Sequence, residues 1–262
     1  MRVFVLSSGS SGNAAIVESD GVRILVDAGI GPKKAVIAMR ALGSDIFPRG
    51  FDAIVVTHHH GDHSAHLESH ARASRAPVYL HPGIDAPQTR KKFDVRSYER
   101  GDSFKVRGLT VHTLPVPHDA PQIAVAIASS SRRIGIATDL GHAPRQVVDF
   151  LGACDVVMLE ANYCERLLDA GPYPPHLKRR VAGGLGHLSN DQTAEVAQKL
   201  ARMRTARLYL CHLSRANNSP SRALQTVRER AGRLHVEVVP HGRPFLVEVS
   251  PSGRVEQLSL AF

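Results

Sequence analysis

Within seven residues, Thr57-His58-His59-His60-Gly61-Asp62-His63, the chain carries four imidazoles and one carboxylate. The pattern His58-x-His60-x-Asp62-His63 presents three imidazoles and a carboxylate, donors that suit Zn²⁺ and similar borderline divalent ions. The run follows the apolar stretch 51–56, which places it at the end of a strand. Three more apolar stretches end in the same residue types. Stretch 109–114 leads through Pro115-Val116-Pro117 to His118-Asp119, 134–137 ends in Thr138-Asp139, and 208–211 ends in His212. A chance surface run of histidines predicts no matching residues elsewhere. Binding groups gather outside the carboxyl ends of strands, so four strand ends that each deliver His or Asp predict one convergent metal site. Cys211 precedes His212 on its strand and should point to the opposite face, into the core.

The elements that must carry these residues are short. Strands are predicted over 3–6, 14–17, 22–26, 51–56, 77–80, 103–106, 109–114, 122–129, 133–138, 155–159, 207–211, 236–239 and 245–249. Helices are predicted over 33–42, 64–74, 193–203 and 221–230, the third opened by a capping box, Ser189-x-x-Gln192. Stretches 82–100 and 169–186, rich in Pro, Gly and basic residues, read as the least regular. Strands resume after each, which favours one domain over 1–262 with helices outside two β-rich halves.

Composition narrows the class. The 262 residues are 43% hydrophobic and 22% charged, as in soluble globular proteins. With 33 Lys plus Arg against 24 Asp plus Glu the formal charge is +9, which favours an anionic partner. Aromatics are only 5% and Trp is absent, which argues against a broad stacking surface for single strands. Three cysteines without a C-x-x-C pair argue against a disulfide framework. The N-terminal apolar run is too short for a signal peptide, and no run reaches the ~18 residues of a membrane span. The expectation is a cytoplasmic protein that contacts no membrane.

The order His-x-His-x-Asp-His, then separate His, Asp and His after strands, resembles the metallo-β-lactamase superfamily over nearly the whole chain. Leu25-Val26-Asp27-Ala28-Gly29 is similar to the first family motif. Ser7-Ser8-Gly9-Ser10-Ser11-Gly12-Asn13, Gly186-His187-Leu188-Ser189-Asn190 and Cys211-His212-Leu213-Ser214-Arg215-Ala216-Asn217-Asn218 resemble the YycJ/WalJ-type group, which is similar to RNase Z and the phosphonate-pathway phosphodiesterases. The resemblance implies an αββα sandwich, two mixed β-sheets with helices on both outer faces. It implies a dinuclear site in which His58, His60 and His118 hold one ion, Asp62, His63 and His212 the other, and Asp139 bridges them. Zn²⁺ suits these donors best, with Mn²⁺ or Fe²⁺ as alternatives. Asp27 would orient a ligand histidine without binding metal. The implied activity is phosphodiester hydrolysis by a metal-bound hydroxide, as a 5′→3′ DNA exonuclease. The alternative is a small-molecule phosphodiesterase, or another ester, thioester or lactone hydrolase on the same fold. Two positions depart from the family pattern: His59 stands where Glu is frequent, and Tyr163 follows Asn162 where His is expected.

Asp62 is expected both to bind metal and to accept a hydrogen bond from the attacking water, and His187 to protonate the leaving oxygen. His187 just precedes a capped helix, whose N-terminus favours an anion; the alternative is a loop histidine that helps the cap. The loop of Ser8 and Asn13 serves equally as a plain turn or as a phosphate cradle. Asn162 and Asn217 are candidate substrate contacts, and Asn217 can instead brace its own loop. Lys178 and Arg179, in the basic run ending at Arg180, can hold DNA phosphates or simply form a solvated face. Arg90-Lys91-Lys92 carries the same two readings.

Overall fold

Residues 1–44, 50–249 and 255–256 are described by a computed structural model. The chain runs β1 (Arg2–Ser7), β2 (Ala14–Ser19), β3 (Val22–Val26), α1 (Pro32–Ala41), β4 (Ala53–Val55), α2 (Gly61–Ser64), α3 (Leu67–Ser74) and β5 (Val78–Leu80). Next come α4 (Pro87–Lys92), β6 (Val95–Ser97), β7 (Ser103–Val106), β8 (Leu109–Val116), β9 (Gln122–Ala128), β10 (Arg133–Ala137), α5 (Arg145–Gly152) and β11 (Val156–Glu160). The remainder is α6 (Glu165–Ala170), α7 (Pro175–Val181), α8 (Asn190–Leu200), β12 (Arg207–Cys211), α9 (Pro220–Arg230), β13 (His235–Val238), β14 (Phe245–Val249) and β15 (Val255–Glu256).

The strands form two mixed sheets, ordered β15-β14-β1-β2-β3-β4-β5-β6 and β13-β12-β11-β10-β9-β8-β7. In the first, β14, β1, β2 and β3 pair antiparallel and β3 to β6 parallel. In the second, β10 to β13 pair parallel and β7 with β8 antiparallel. Parallel strands need helical crossovers that cover their faces, which is why 156–159 of β11 and 208–211 of β12 read as apolar runs.

The described residues divide into two compact units, those within 1–112, 127–132 and 240–256, and those within 113–126 and 133–239. The expected single domain over 1–262 includes 45–49, 250–254 and 257–262, which lie outside the described residues. In the first unit, Phe4, Ile16, Leu25 and Ile54 of the sheet pack with Ala35 and Met39 of α1 and with Leu67 of α3. Buried Glu18 ties β1, β2 and β3 together through Arg2 and Arg23. In the second unit, Val157, Leu159, Leu208 and Leu210 meet Val148 and Leu151 of α5, Ala197 and Leu200 of α8, and Val227 of α9.

Several local expectations change. The helix expected over 64–74 is two helices, because the chain breaks at His66, whose N–H donates to Ala28 O at 2.9 Å. Stretches 82–100 and 169–186 are more regular than their composition suggests. They contain α4, β6 and α7, and Pro87 and Pro175 open their helices, where a missing N–H costs nothing. Among the described residues, no helix is long and apolar enough to cross a membrane.

Candidate metal centre

In the first unit, three loops at strand ends are fastened by their backbones. Asn13 N donates to Asp62 O at 2.7 Å, Gly29 N to Asn13 O at 2.9 Å, and Ala28 N to His63 O at 2.7 Å. The approach is so close that a Cβ on Gly29 would sit 1.8 Å from Asp62 O, where neither backbone can yield. Gly29→Ala is therefore expected to lose about 3 kcal/mol or more of stability in urea unfolding. Gly61→Ala, where a Cβ would meet nothing within 4 Å, is the matched control and stays near wild type.

These loops aim a histidine cluster. Asp27 Oδ1 accepts from Thr57 N at 2.8 Å, and Oδ2 accepts from Thr57 Oγ1 at 3.0 Å and lies 2.7 Å from His63 Nδ1. A carboxylate on Nδ1 fixes the ring and its tautomer, so that Nε2 presents its lone pair. Asp62 Oδ2 lies 3.5 Å from that Nε2, and Asn13 Nδ2 lies 2.9 Å from it. The His58 ring centre is 4.3 Å from that of His63 and 4.7 Å from that of His60. His58 and His63 are fully buried. Ser8 is buried in the loop whose Gly9 N donates to Asn13 Oδ1 at 2.8 Å.

In the second unit, Asp139, Glu160, His187 and His212 each offer a ligand atom, and these atoms all lie within 4.8 Å of one another. His187 Nδ1 is 3.0 Å from Glu160 Oε2 and 3.5 Å from Asp139 Oδ1. His212 Nδ1 is 3.5 Å from Glu160 Oε2 and 3.6 Å from Asp139 Oδ1. Glu160 is fully buried, and its Oε1 accepts from Leu140 N at 2.7 Å and Leu188 N at 3.2 Å. Burial pushes the Glu160 carboxyl up, but the adjacent His187 and the hydrogen bonds from His187 and His212 outweigh it and hold it below its usual range. Burial pushes His187 down, and the Glu160 charge and hydrogen bond outweigh that, so His187 stays protonated to higher pH than a free imidazole. His118 Nδ1 lies 3.3 Å from Gly186 O, and its Nε2 lies 3.2 Å from Asp119 Oδ1.

The backbone shows what this geometry demands. Asp27, Asp139 and His212 have φ of 62°, 58° and 54°, the left-handed region that glycine occupies most easily. Each follows a strand directly or by one residue, so the chain turns sharply and throws the side chain off the strand end. Strain of this kind persists where the side chain is needed.

Glu160 was not expected from the sequence. The strand expected over 155–159 stops one residue short, whereas β11 ends at Glu160, so the strand-end rule that marks Asp139 and His212 marks it too. Thr57 joins Asp27 to the histidine loop, a role that its place in the motif does not reveal.

The other candidates lie in the second unit as follows. Asn162 is buried and its Nδ2 donates to His212 O at 2.9 Å. Asn217 is fully buried; its Nδ2 donates to Ser214 Oγ at 3.3 Å and its carbonyl accepts from Cys164 N at 2.8 Å. Lys178 donates to Asp169 O, and Arg179 is exposed on α7. Cys211 is buried, and burial raises its thiol well above the usual range, so it is held as the inert thiol.

Asp139 and His212, a carboxylate and an imidazole beside the Glu160–His187 pair, are donors that fit a divalent cation, whose charge would answer that of the buried Asp139 carboxylate. Comparison with known proteins agrees. Residues 22–213 match the β-lactamase superfamily domain. Exodeoxyribonuclease WalJ of Streptococcus pneumoniae is 29% identical over 232 residues, covering 85% of this chain and 85% of that protein. Exodeoxyribonuclease YycJ of Bacillus anthracis is 29% identical over 234 residues, 86% of this chain and 87% of that one. The crystal structure of the metallo-β-lactamase fold protein YhfI from Bacillus subtilis superposes with a TM-score of 0.73 at 18% identity, over 94% of this chain and 99% of that one. The family match spans most of the chain and the fold agrees, so the chain belongs to the β-lactamase superfamily, with the metallo-β-lactamase fold, and is a metal-dependent hydrolase.

Proposed function

We propose that this hydrolase is a DNA exonuclease working 5′→3′ in the cytoplasm, as one catalytic domain with two divalent ions. In this reading His58, His60 and His118 hold one ion, Asp62, His63 and His212 the second, and Asp139 bridges them. Zn²⁺ is the working metal that the imidazole-rich donors favour. When bound, the ions supply water acidic enough to attack phosphorus at neutral pH and offset charge on the phosphate.

The observation that carries the proposal is the pairing of His187 with buried Glu160 at 3.0 Å, inside the Asp139 and His212 donor set. An alkoxide leaving from DNA is a poor leaving group and needs a proton. Glu160 takes the Nδ1 side of His187 and leaves Nε2 to deliver that proton. Asp62 accepts a hydrogen bond from the attacking water and orients it. The positive charge of the chain and the similarity to two exodeoxyribonucleases favour DNA over a small phosphodiester.

Linear duplex labelled at either the 5′ or the 3′ end tests the reading, with protein stripped of metal and reloaded with Zn²⁺ or Mn²⁺. The expected result is metal-dependent release of mononucleotide from the 5′ label, absent in His58→Ala. Intact DNA under every condition, with bis(p-nitrophenyl) phosphate still hydrolysed, transfers the assignment to a small phosphodiester.

A further inference from the structure

Leu185 is 54% exposed, one of two large apolar residues so placed among the described residues. It belongs to Gly183-Gly184-Leu185-Gly186, two residues before His187. Exposed leucines on mobile loops mean little, but this loop is pinned. Three consecutive carbonyls are bonded: Gly184 O lies 2.9 Å from His142 Nδ1, Leu185 O accepts from Asp119 N at 3.0 Å, and Gly186 O lies 3.3 Å from His118 Nδ1. Gly186 N donates to Gly183 O at 2.8 Å and His187 N to Val181 O at 2.9 Å. The loop lies so tightly on its neighbour that a Cβ on Gly141 would sit 2.2 Å from the Gly184 carbonyl carbon. The anchors are His118 and its neighbour Asp119, together with His142 in the loop after Asp139. Leu185 is thus held at a fixed place beside the reacting groups, with its side chain in solvent.

Its surroundings are cationic. Arg179 is exposed on α7, and Arg180 pairs with Asp119 at 2.7 Å, next to His118. A pinned apolar tip close to exposed arginines and to the His118 and His187 loops suits a nucleotide, whose base face is apolar and whose phosphate is anionic.

We propose that Leu185 packs against the face of the base adjoining the scissile phosphate, and so selects nucleotide chains over simple phosphodiesters. The inference rests on the nuclease reading above and names the contact that gives it substrate preference.

The test crosses the variant with a substrate lacking the contact. Wild type and Leu185→Ala are compared on a 5′-labelled oligonucleotide and on the same strand with its 5′-terminal nucleotide abasic. Binding is also followed by fluorescence anisotropy in the metal-free proteins. Leu185→Ala is expected to raise KM and Kd about five- to tenfold on the normal strand. The abasic strand costs wild type a similar factor, the variant adds no further loss on it, and Leu185→Phe restores the normal strand. Losses that multiply, or an unchanged KM and Kd on the normal strand, overturn the role of Leu185 while the nuclease reading stands. A wild type that cleaves no DNA overturns both.

Discussion

Asp139→Ala hydrolyses bis(p-nitrophenyl) phosphate at least about a thousandfold more slowly than wild type, yet its metal-free form melts no earlier. The two halves of this expectation come from the same geometry. Asp139 is buried at 3% exposure and sits within 4.8 Å of the donor atoms of Glu160, His187 and His212. In the proposed site Asp139 would help hold both ions, so its loss would remove charge and a donor from each. In the metal-free protein the same carboxylate faces Glu160, and its negative charge pushes the Glu160 carboxyl up. Removing it relieves the repulsion with Glu160 and gives up the attraction to protonated His187 at 3.5 Å, so the two changes offset. A structural carboxylate behaves in the opposite way, since its loss lowers stability with or without metal. Metal content by mass spectrometry, melting curves of loaded and stripped protein, and turnover separate the cases. A variant that keeps more than a tenth of wild-type turnover with Zn²⁺ ends the assignment of Asp139 as a ligand.

The residues that could be read from the sequence are those whose position follows from a strand end. The histidine run from His58, Asp139 and His212 come soon after β4, β10 and β12, because apolar β-branched runs mark these buried strands clearly. Glu160 escaped because the apolar run 156–159 ends before it, although the strand carries on by pairing Glu160 with Cys211. Backbone hydrogen bonds extend a strand beyond its hydrophobic signal, and only the fold shows how far. The amphipathic α5 also went unread, as did α4 and α7, which open on prolines that sequence reading takes as irregular.

Side-chain roles were the least legible. Asn162 and Asn217 look like substrate-facing amides in sequence, since both stand beside motif residues. In the fold Asn162 Nδ2 donates to His212 O and Asn217 Nδ2 to Ser214 Oγ, so each amide nitrogen braces its own loop. Nothing in spacing tells an amide that holds a loop from one that meets a ligand, because the hydrogen-bonding capacity is the same. Both residues are buried, as are the site residues His58 and Asp139.

His187→Ala is expected to lose about 10²- to 10⁴-fold in turnover on DNA and far less on bis(p-nitrophenyl) phosphate. The difference follows from the leaving groups. A nitrophenolate departs without a proton, whereas a sugar alkoxide does not, so a residue that only protonates the leaving oxygen matters to one substrate alone. A residue that holds metal or phosphate affects both alike. Glu160→Gln supplies the second half of the argument. Glu160 holds the His187 proton by charge and by a hydrogen bond at 3.0 Å, against the burial that opposes it. Activity that requires protonated His187 falls as pH rises through the His187 pKa, which the Glu160 carboxylate has moved upward. With glutamine the charge is gone and burial prevails, so the alkaline limb of the DNA profile shifts to lower pH. The profile with the nitrophenyl ester keeps its position. Equal losses on both substrates, or an alkaline limb unmoved by Glu160→Gln, remove His187 from the role of proton donor and leave it as a further ligand beside Asp139 and His212.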